Sequence, residues 1–270
     1  MKMSKQADYG NWVPAAMMRL LWGMSAACVV LTLLVGALWK NAAVAIILGI
    51  LAIAMLLMSA YMQRCSDLFA FEKGGVMGEV HQFLMDHFDW KRAAKPDGSG
   101  SILDIGCGAA ALTNRCAKTF PKARVTGMDY WGAQWSYAKE QCEQNAKLEG
   151  VSDRTSFVKG DAAKLDFPDE RFDGAISNFV FHEVRSAKDK RDVVREALRV
   201  VKRGGAFAFQ DMFGQSNVYG DMNEFIAQLK SEGAVREIHY IADIENQPFV
   251  PKFVTAPWMI RHAGLIYGIK

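Results

Sequence analysis

The stretch Ser101 to Leu112, SILDIGCGAAAL, sets an apolar run, a glycine turn and helix-forming residues in immediate succession. Gly106 and Gly108 permit positive φ and close approach of another molecule to the backbone. A helix opening directly after such a turn leaves N–H groups at its first turn facing a ligand. Short glycine pairs after apolar runs also arise by chance, so the weight rests on the residues spaced at regular distances beyond the turn. The next strand ends in Asp129, followed by Tyr130 and Trp131. A carboxylate there lies beside the glycine loop and can accept hydrogen bonds from ribose hydroxyls; an exposed strand terminator is the alternative. A third strand runs into Gly160-Asp161-Ala162, where an acidic side chain can reach an adenine amino group. A fourth, FDGAISN, ends at Asn178 and continues through Phe179 to His182 and Glu183 across the mouth of a cleft. His182, with Glu183 beside it, is the best-placed candidate base, against the equally weighted reading that it only packs or bonds to its loop. His81 and His87 are read as structural, and His239 and His262 as flanking C-terminal strands without chemistry.

The elements that must position these residues alternate. Strands are expected at Ser101–Ile105, Arg124–Met128, Thr155–Val158, Phe172–Asn178 and Ala206–Met212, with Lys202-Arg203-Gly204-Gly205 as a turn before the fifth. Helices fit Ala109–Phe120, Gly132–Leu148 and Ala187–Val201. Asp221–Lys230 reads as a helix, Val235–Ile244 as a strand and Gly264–Lys270 as a last, antiparallel strand. Such alternation argues for a parallel sheet with helices on both faces and ligands at the carboxyl ends of its strands. Asn246 to Trp258, with Pro248, Phe249, Pro251 and Phe253, is too irregular for an element and too apolar for a solvated loop. It is read as part of a substrate pocket or a surface meeting lipid headgroups, against a plain packed connection.

The N-terminal quarter has a different character. No charged residue occurs from Leu20 to Trp39 or from Ala42 to Met62, and each run matches the roughly 20 residues that cross a hydrocarbon core. The runs are joined only by Lys40-Asn41, which implies a tight antiparallel transmembrane hairpin of helices at about 20–39 and 42–62, meeting the lipid bilayer through residues 20–62. A cleaved signal peptide fits poorly, because the apolar part is too long and a second apolar run follows at once. Trp22, Trp39 and Tyr61 sit where interfacial aromatics belong. Lys2, Lys5 and Arg19 before the hairpin and Arg64 and Lys73 after it, against Lys40 alone in the turn, put both termini on the cytoplasmic side. The expected organisation is a membrane hairpin over residues 1–64, an amphipathic connector or lid over 65–100 and an α/β domain over 101–270. Within the connector, Val76 to Phe88 has helical apolar spacing.

Charge is nearly balanced at +3, and nothing in it suggests a nucleic-acid partner, whose groove would need a larger, clustered basic excess. The five cysteines, Cys28, Cys65, Cys107, Cys116 and Cys142, form no C-x-x-C pair and no zinc-spaced cluster. They are read as reduced thiols, and no metal site is expected.

LDIGCG, Asp129, Gly160-Asp161-Ala162, FDGAISN, Lys202-Arg203-Gly204-Gly205 and the segment Asn145 to Val151 occur in an order that resembles the class I S-adenosylmethionine-dependent methyltransferases, especially their quinone- and small-molecule branch. The resemblance covers Ser101 to Lys270 and implies a Rossmann-like seven-stranded sheet. It implies that Asp104, Gly106, Cys107 and Gly108 line the methionine portion and backbone of S-adenosylmethionine. Asp129 would hold the ribose, with Tyr130 beside the adenine. Asp161 and Ala162 would contact adenine, and Asn178 and Phe179 would lie beneath the methionine and the reacting methyl. The family often has a third glycine where this chain has Ala110.

The function expected is an integral-membrane, S-adenosylmethionine-dependent methyltransferase with its catalytic domain on the cytoplasmic face. It would yield S-adenosylhomocysteine and act on a small, lipophilic or membrane-associated acceptor. Two alternatives stand beside it. Gly106, Gly108 and Ala111 also fit the G-x-G-x-x-A of an NAD(P)-dependent oxidoreductase, and a non-catalytic adenosyl-ligand sensor would use the same cradle.

Overall fold

The computed structural model describes residues 6–39, 41–69, 71, 75–131, 139–256 and 259–270. The chain divides into two units, residues 10–78 and residues 1–9 with 79–270.

The first unit contains helices α1, Ala15–Leu34, continued by a π-helical turn at Val35–Trp39, and α2, Ala42–Leu68. Both extend past the charge-free runs. The side chain of Asn41 accepts from the Val44 N–H at 3.2 Å and so caps the start of α2. The polarity of this pair is inverted. A serine pair faces inward: the hydroxyls of Ser25 and Ser59 are fully buried and 2.8 Å apart. The large apolar side chains face outward, with Leu33 66%, Leu38 72%, Ile47 65% and Leu57 67% exposed. Both helices are long and apolar enough to cross a membrane by length and composition. Lys2, Lys5, Lys40 and Lys73 lie outside the described residues.

Helix α3, Val76–His87, and the short α4, Trp90–Ala93, lead to the sheet. In chain order there follow β1 Gly100–Ile105, α5 Ala111–Thr119, β2 Ala123–Asp129, α6 Lys139–Leu148, β3 Thr155–Lys159 and β4 Phe172–Asn178. Then come α7 Lys190–Arg199, β5 Val201–Asp211, α8 Ser216–Tyr219, α9 Met222–Ser231, β6 Glu237–Ile241 and β7 Gly264–Ile269. The seven strands are ordered β3-β2-β1-β4-β5-β7-β6, with β7 antiparallel to both its neighbours. This is the Rossmann-like sheet expected from the motif order.

Strands β1 and β4 are covered on both faces, which is why their sequences read as near-continuous apolar runs. One face carries Leu103, Ile105, Ala175, Phe207 and Phe209 into a core with Phe181, Val193, Leu198 and Phe225. The other carries Asp104, Ile176, Asn178, Ala208 and Gln210, as the strand alternation requires.

Several boundaries differ from the sequence reading. Helix α7 starts at Lys190 because the Asp189 side chain accepts from the Arg191 N–H at 2.9 Å. It ends before Val201, which is already in the ladder with Phe172. The Lys202 to Gly205 segment is not a turn before β5 but part of it. A register shift between Phe172 and Gly174 absorbs the extra residues, and Gly204, at φ +82°, donates its N–H to the Lys270 carbonyl. Strand β6 is shorter than expected and stops before Asp243, which adopts φ +54°. The first part of the expected helix Gly132–Leu148 lies outside the described residues.

Of Asn246 to Trp258 the structure describes residues 246–256, of which Asn246, Pro248, Lys252 and Phe253 are exposed. Val250 and Val254 are buried, Phe249 meets Phe83 with ring centroids 5.5 Å apart, and Phe253 is 44% exposed. Trp258 lies outside the described residues.

Candidate functional site

The candidate residues line the carboxyl ends of β3, β2, β1 and β4, which are adjacent in that order. The chain reverses direction across the sheet between β1 and β4, the switch point where open α/β sheets bind ligands.

The turn after β1 is closed by backbone bonds. Gly106 and Cys107 both donate to the Met128 carbonyl, at 2.7 and 3.0 Å, and tie the loop to β2. Gly106 adopts φ +75°, and a Cβ there would meet Val180 Cγ2 at 2.2 Å. The group pressed against this glycine therefore belongs to the segment after β4. Ala110 caps α5 at φ +72°, which explains why glycine suits that position and why the helix starts at Ala111 rather than Ala109.

Asp129 spans the loop. Its Oδ2 accepts from the Gly108 N–H at 2.9 Å and its Oδ1 from the Trp131 N–H at 2.8 Å. Trp131 Nε1 donates back to the Gly108 carbonyl at 3.0 Å. Each carboxylate oxygen keeps a lone pair for a further donor. Tyr130, next in sequence, is 64% exposed, with the Lys159 ammonium 5.4 Å from its ring centroid.

Asp104 lies beneath the loop, fully buried, and accepts from Thr113 Oγ1 at 2.5 Å. Burial, with the charge of Asp129 adding to it, pushes its carboxyl up to about 7 against the Thr113 bond. Cys107 is buried, and its thiol is pushed up by burial. Asp161 accepts through Oδ1 from Ala163 N–H and Ser186 Oγ, both at 2.9 Å, while Ala162 joins the core. Phe179 adopts φ +55° and donates its N–H to the Gln210 carbonyl at 2.7 Å.

Asn178 Nδ2 lies 3.2 Å from His81 Nε2 on α3. Burial, with the nearby Arg115 charge, drives the His81 imidazole down to about 3, so it stays neutral. His182 and Glu183 form a 3₁₀ turn after β4. His182 Nδ1 meets Asp211 Oδ1 at 2.7 Å, and His182 Nε2 is 3.5 Å from Glu183 Oε1. Burial favours neutral imidazole, but the charge and hydrogen bond of Asp211 overcome it, and His182 ends above its ordinary value.

Three participants escaped the sequence reading. Asp211, the last residue of β5, is visible only as an acid ending an apolar run. Gln210 beside it is 1% exposed, and neither of its amide atoms has a hydrogen-bond partner among the described residues. The third is the N-terminal segment. Asn145 Oδ1 accepts from Asp8 N–H while its Nδ2 donates to the carbonyls of Asp8 and Ala109, fastening residues 8 and 109 to one side chain. Among the described residues no three His, Cys, Asp or Glu side chains converge as a metal site.

The family described as a methyltransferase domain matches residues 103–209, which span β1 to β5. The sterol 24-C-methyltransferase of Aspergillus fumigatus is 35% identical over 106 residues, 39% of this chain and 26% of that protein. The chain thus spans about a quarter of that relative's length. The demethylmenaquinone methyltransferase of Listeria welshimeri is 29% identical over 188 residues, 68% of this chain and 72% of that protein. The solved geranyl diphosphate C-methyltransferase of Streptomyces coelicolor shares the fold, with a TM-score of 0.51 at 17% identity, over 72% of this chain and 79% of that one.

Proposed function

The chain carries a class I S-adenosylmethionine-dependent methyltransferase domain, and from that premise we propose that it transfers a methyl group from S-adenosylmethionine to a small lipophilic acceptor at a membrane. The observation that carries this reading is the Asp129 carboxylate, pinned across the glycine loop by Gly108 and Trp131 with lone pairs to spare. A sugar diol is the ligand group such a carboxylate suits.

When bound, the cofactor supplies an electrophilic methyl whose bond electrons return to sulfur as the acceptor's electron pair takes it. The chain's own residues hold and orient. Asp129 would hold the ribose, Tyr130 and Asp161 would flank the adenine, and Gly106, Cys107 and Gly108 would offer backbone to the methionine portion. Asp104 places a carboxyl beneath them. Asn178 and Phe179 border the transfer point. Much of the rate then comes from holding acceptor and methyl in near-attack geometry away from water. Where the acceptor sheds a proton, His182 takes it at Nε2, with Nδ1 committed to Asp211.

The inverted polarity of α1 and α2 supports a membrane hairpin, since outward Leu and Ile with an inward serine pair suit lipid and not water. The basic flanks favour a cytoplasmic catalytic domain. The lipophilic acceptor class is carried by the sterol and demethylmenaquinone relatives. The test is methyl transfer from labelled S-adenosylmethionine by the protein in native membranes, against matched lipophilic and water-soluble acceptors. Transfer to the lipophilic acceptor is expected. Equal transfer to both, or release of the protein from membranes by alkaline carbonate, contradicts the reading.

A further inference from the structure

At the carboxyl ends of β4 and β5, Asn178 and Gln210 are register partners on one face of the sheet. The position opposite Gln210 on β7 is Leu265, and one pleat below on that face are Ile176 and Ala208. The setting is aliphatic, yet Gln210 is 1% exposed and both its Oε1 and its Nε2 lack a hydrogen-bond partner among the described residues. Asn178 Oδ1 is in the same condition. Three buried amide atoms from neighbouring positions are thus unsatisfied by the fold, whereas buried polar groups are ordinarily bonded.

Asn178 has one side-chain neighbour in hydrogen-bond range among the described residues. Its Nδ2 lies 3.2 Å from His81 Nε2, and its Oδ1 is the amide atom left without a partner among the described residues. The strand order places Gln210 one strand beyond Asn178. A cofactor held by Asp129 on β2 and reaching Asn178 on β4 would have β5 as its next neighbour in the sheet.

We propose that Gln210, together with the neighbouring Asn178 amide, recognises a hydroxyl on the methyl acceptor, at or beside the atom that is methylated. This rests on the methyltransferase reading and narrows its acceptor class. A hydroxyl both donates and accepts, so it satisfies either half of an amide. A hydrocarbon end would leave all three amide atoms desolvated and unbonded. The site therefore selects hydroxylated acceptors over pure alkenes.

The test uses the full chain in lipid nanodiscs with methyl-tritiated S-adenosylmethionine and two lipophilic probes. One is 2-farnesyl-1,4-naphthoquinol, with a ring hydroxyl beside an open carbon; the other is squalene, all hydrocarbon. Label is expected in the quinol with a preference of about 100-fold or more, since a site built for a hydroxyl strongly rejects its absence. Gln210→Leu is expected to lower kcat/KM for the quinol by about tenfold or more while its affinity for S-adenosylhomocysteine, read by calorimetry, stays within about twofold. Label in squalene at a comparable rate, no label in the quinol from protein that binds S-adenosylhomocysteine, or an unchanged kcat/KM in Gln210→Leu overturns the proposal. The two-probe comparison on the unaltered chain decides even if that variant fails to fold. Failure to bind S-adenosylhomocysteine at all would instead overturn the parent reading.

Discussion

Gln210 and Asp211 are consecutive on β5, and the two faces of the sheet treat them in opposite ways. Asp211 is fully buried and accepts from four donors, the N–H groups of Phe181, His182 and Met212 and the His182 ring. Gln210 is as deeply buried, and its side chain accepts and donates nothing within the described residues. Both are costly to bury, and only one is compensated by the fold. Asp211 holds the segment after β4 in place and sets the tautomer of His182. Gln210 is left for something the fold does not supply. Asp104, on the same face as Gln210, is intermediate, with Thr113 as its one hydrogen-bonding side chain among the described residues.

The sharpest way to break this contrast is to remove Asp211. Asp211→Ala strands the Phe181 and Met212 N–H groups and releases His182, and should cost about 3–5 kcal/mol of stability in urea unfolding. A loss under about 1 kcal/mol would place the burden elsewhere.

Asp104 gives the next largest effect, and its sign is fixed by the direction of its shift. Its folded pKa, about 7, lies above the ordinary 3.8, so its contribution is fully present below about pH 4 and is lost as pH climbs to about 7. Unfolding of the ligand-free chain, measured across that window, should show the decline, and Asp104→Asn should flatten it. An unchanged pH dependence in Asp104→Asn would mean that the carboxyl is already ionised.

Gln210→Leu is the mirror image of the Asp211 test. Replacing an unsatisfied amide by an apolar side chain of similar size should leave the protein as stable or about 1 kcal/mol more stable. A loss of about 2 kcal/mol or more would show that the amide is bonded within the fold after all.

The smallest effect is on rate. His182 must be neutral to take a proton, and Asp211 holds it protonated to higher pH. Transfer to an acceptor that loses a proton should therefore rise with pH on a limb lying above 6.5, and Asp211→Asn should move that limb to lower pH. An unmoved limb would remove His182 from proton transfer.

The contrast also marks what sequence could and could not convey. The glycine turn, the five parallel strands and Asp129 are legible because each rests on local pattern: apolar runs, positive φ, an acid at a strand end. The hairpin is legible for the same reason, as two charge-free runs of membrane-crossing length. Asp211 and Gln210 are not, because their meaning lies in partners far along the chain. Asp211 meets Phe181 across 30 residues, and the Asn178–His81 bond crosses 97. His81 read as a structural histidine on an amphipathic helix, and its contact with Asn178 on β4 has no local signal. Lys202 to Gly205 misled for a related reason. Glycines usually announce a turn, but here Gly204 and Gly205 pair with the C-terminal Lys270. The fastening of Asp8 to Asn145, 137 residues away, left no trace in a polar leader.

The central claim is that the loop from Gly106 to Gly108 and the Asp129 carboxylate hold an adenosyl ligand. Calorimetric titration of the full chain with S-adenosylhomocysteine, alongside NADH, tests that directly. The account predicts one-to-one binding of S-adenosylhomocysteine, none of NADH, and an affinity reduced about 10- to 100-fold in Asp129→Ala, the worth of a hydrogen bond to a charged group. Binding of NADH instead, or undiminished S-adenosylhomocysteine affinity in Asp129→Ala, would contradict it.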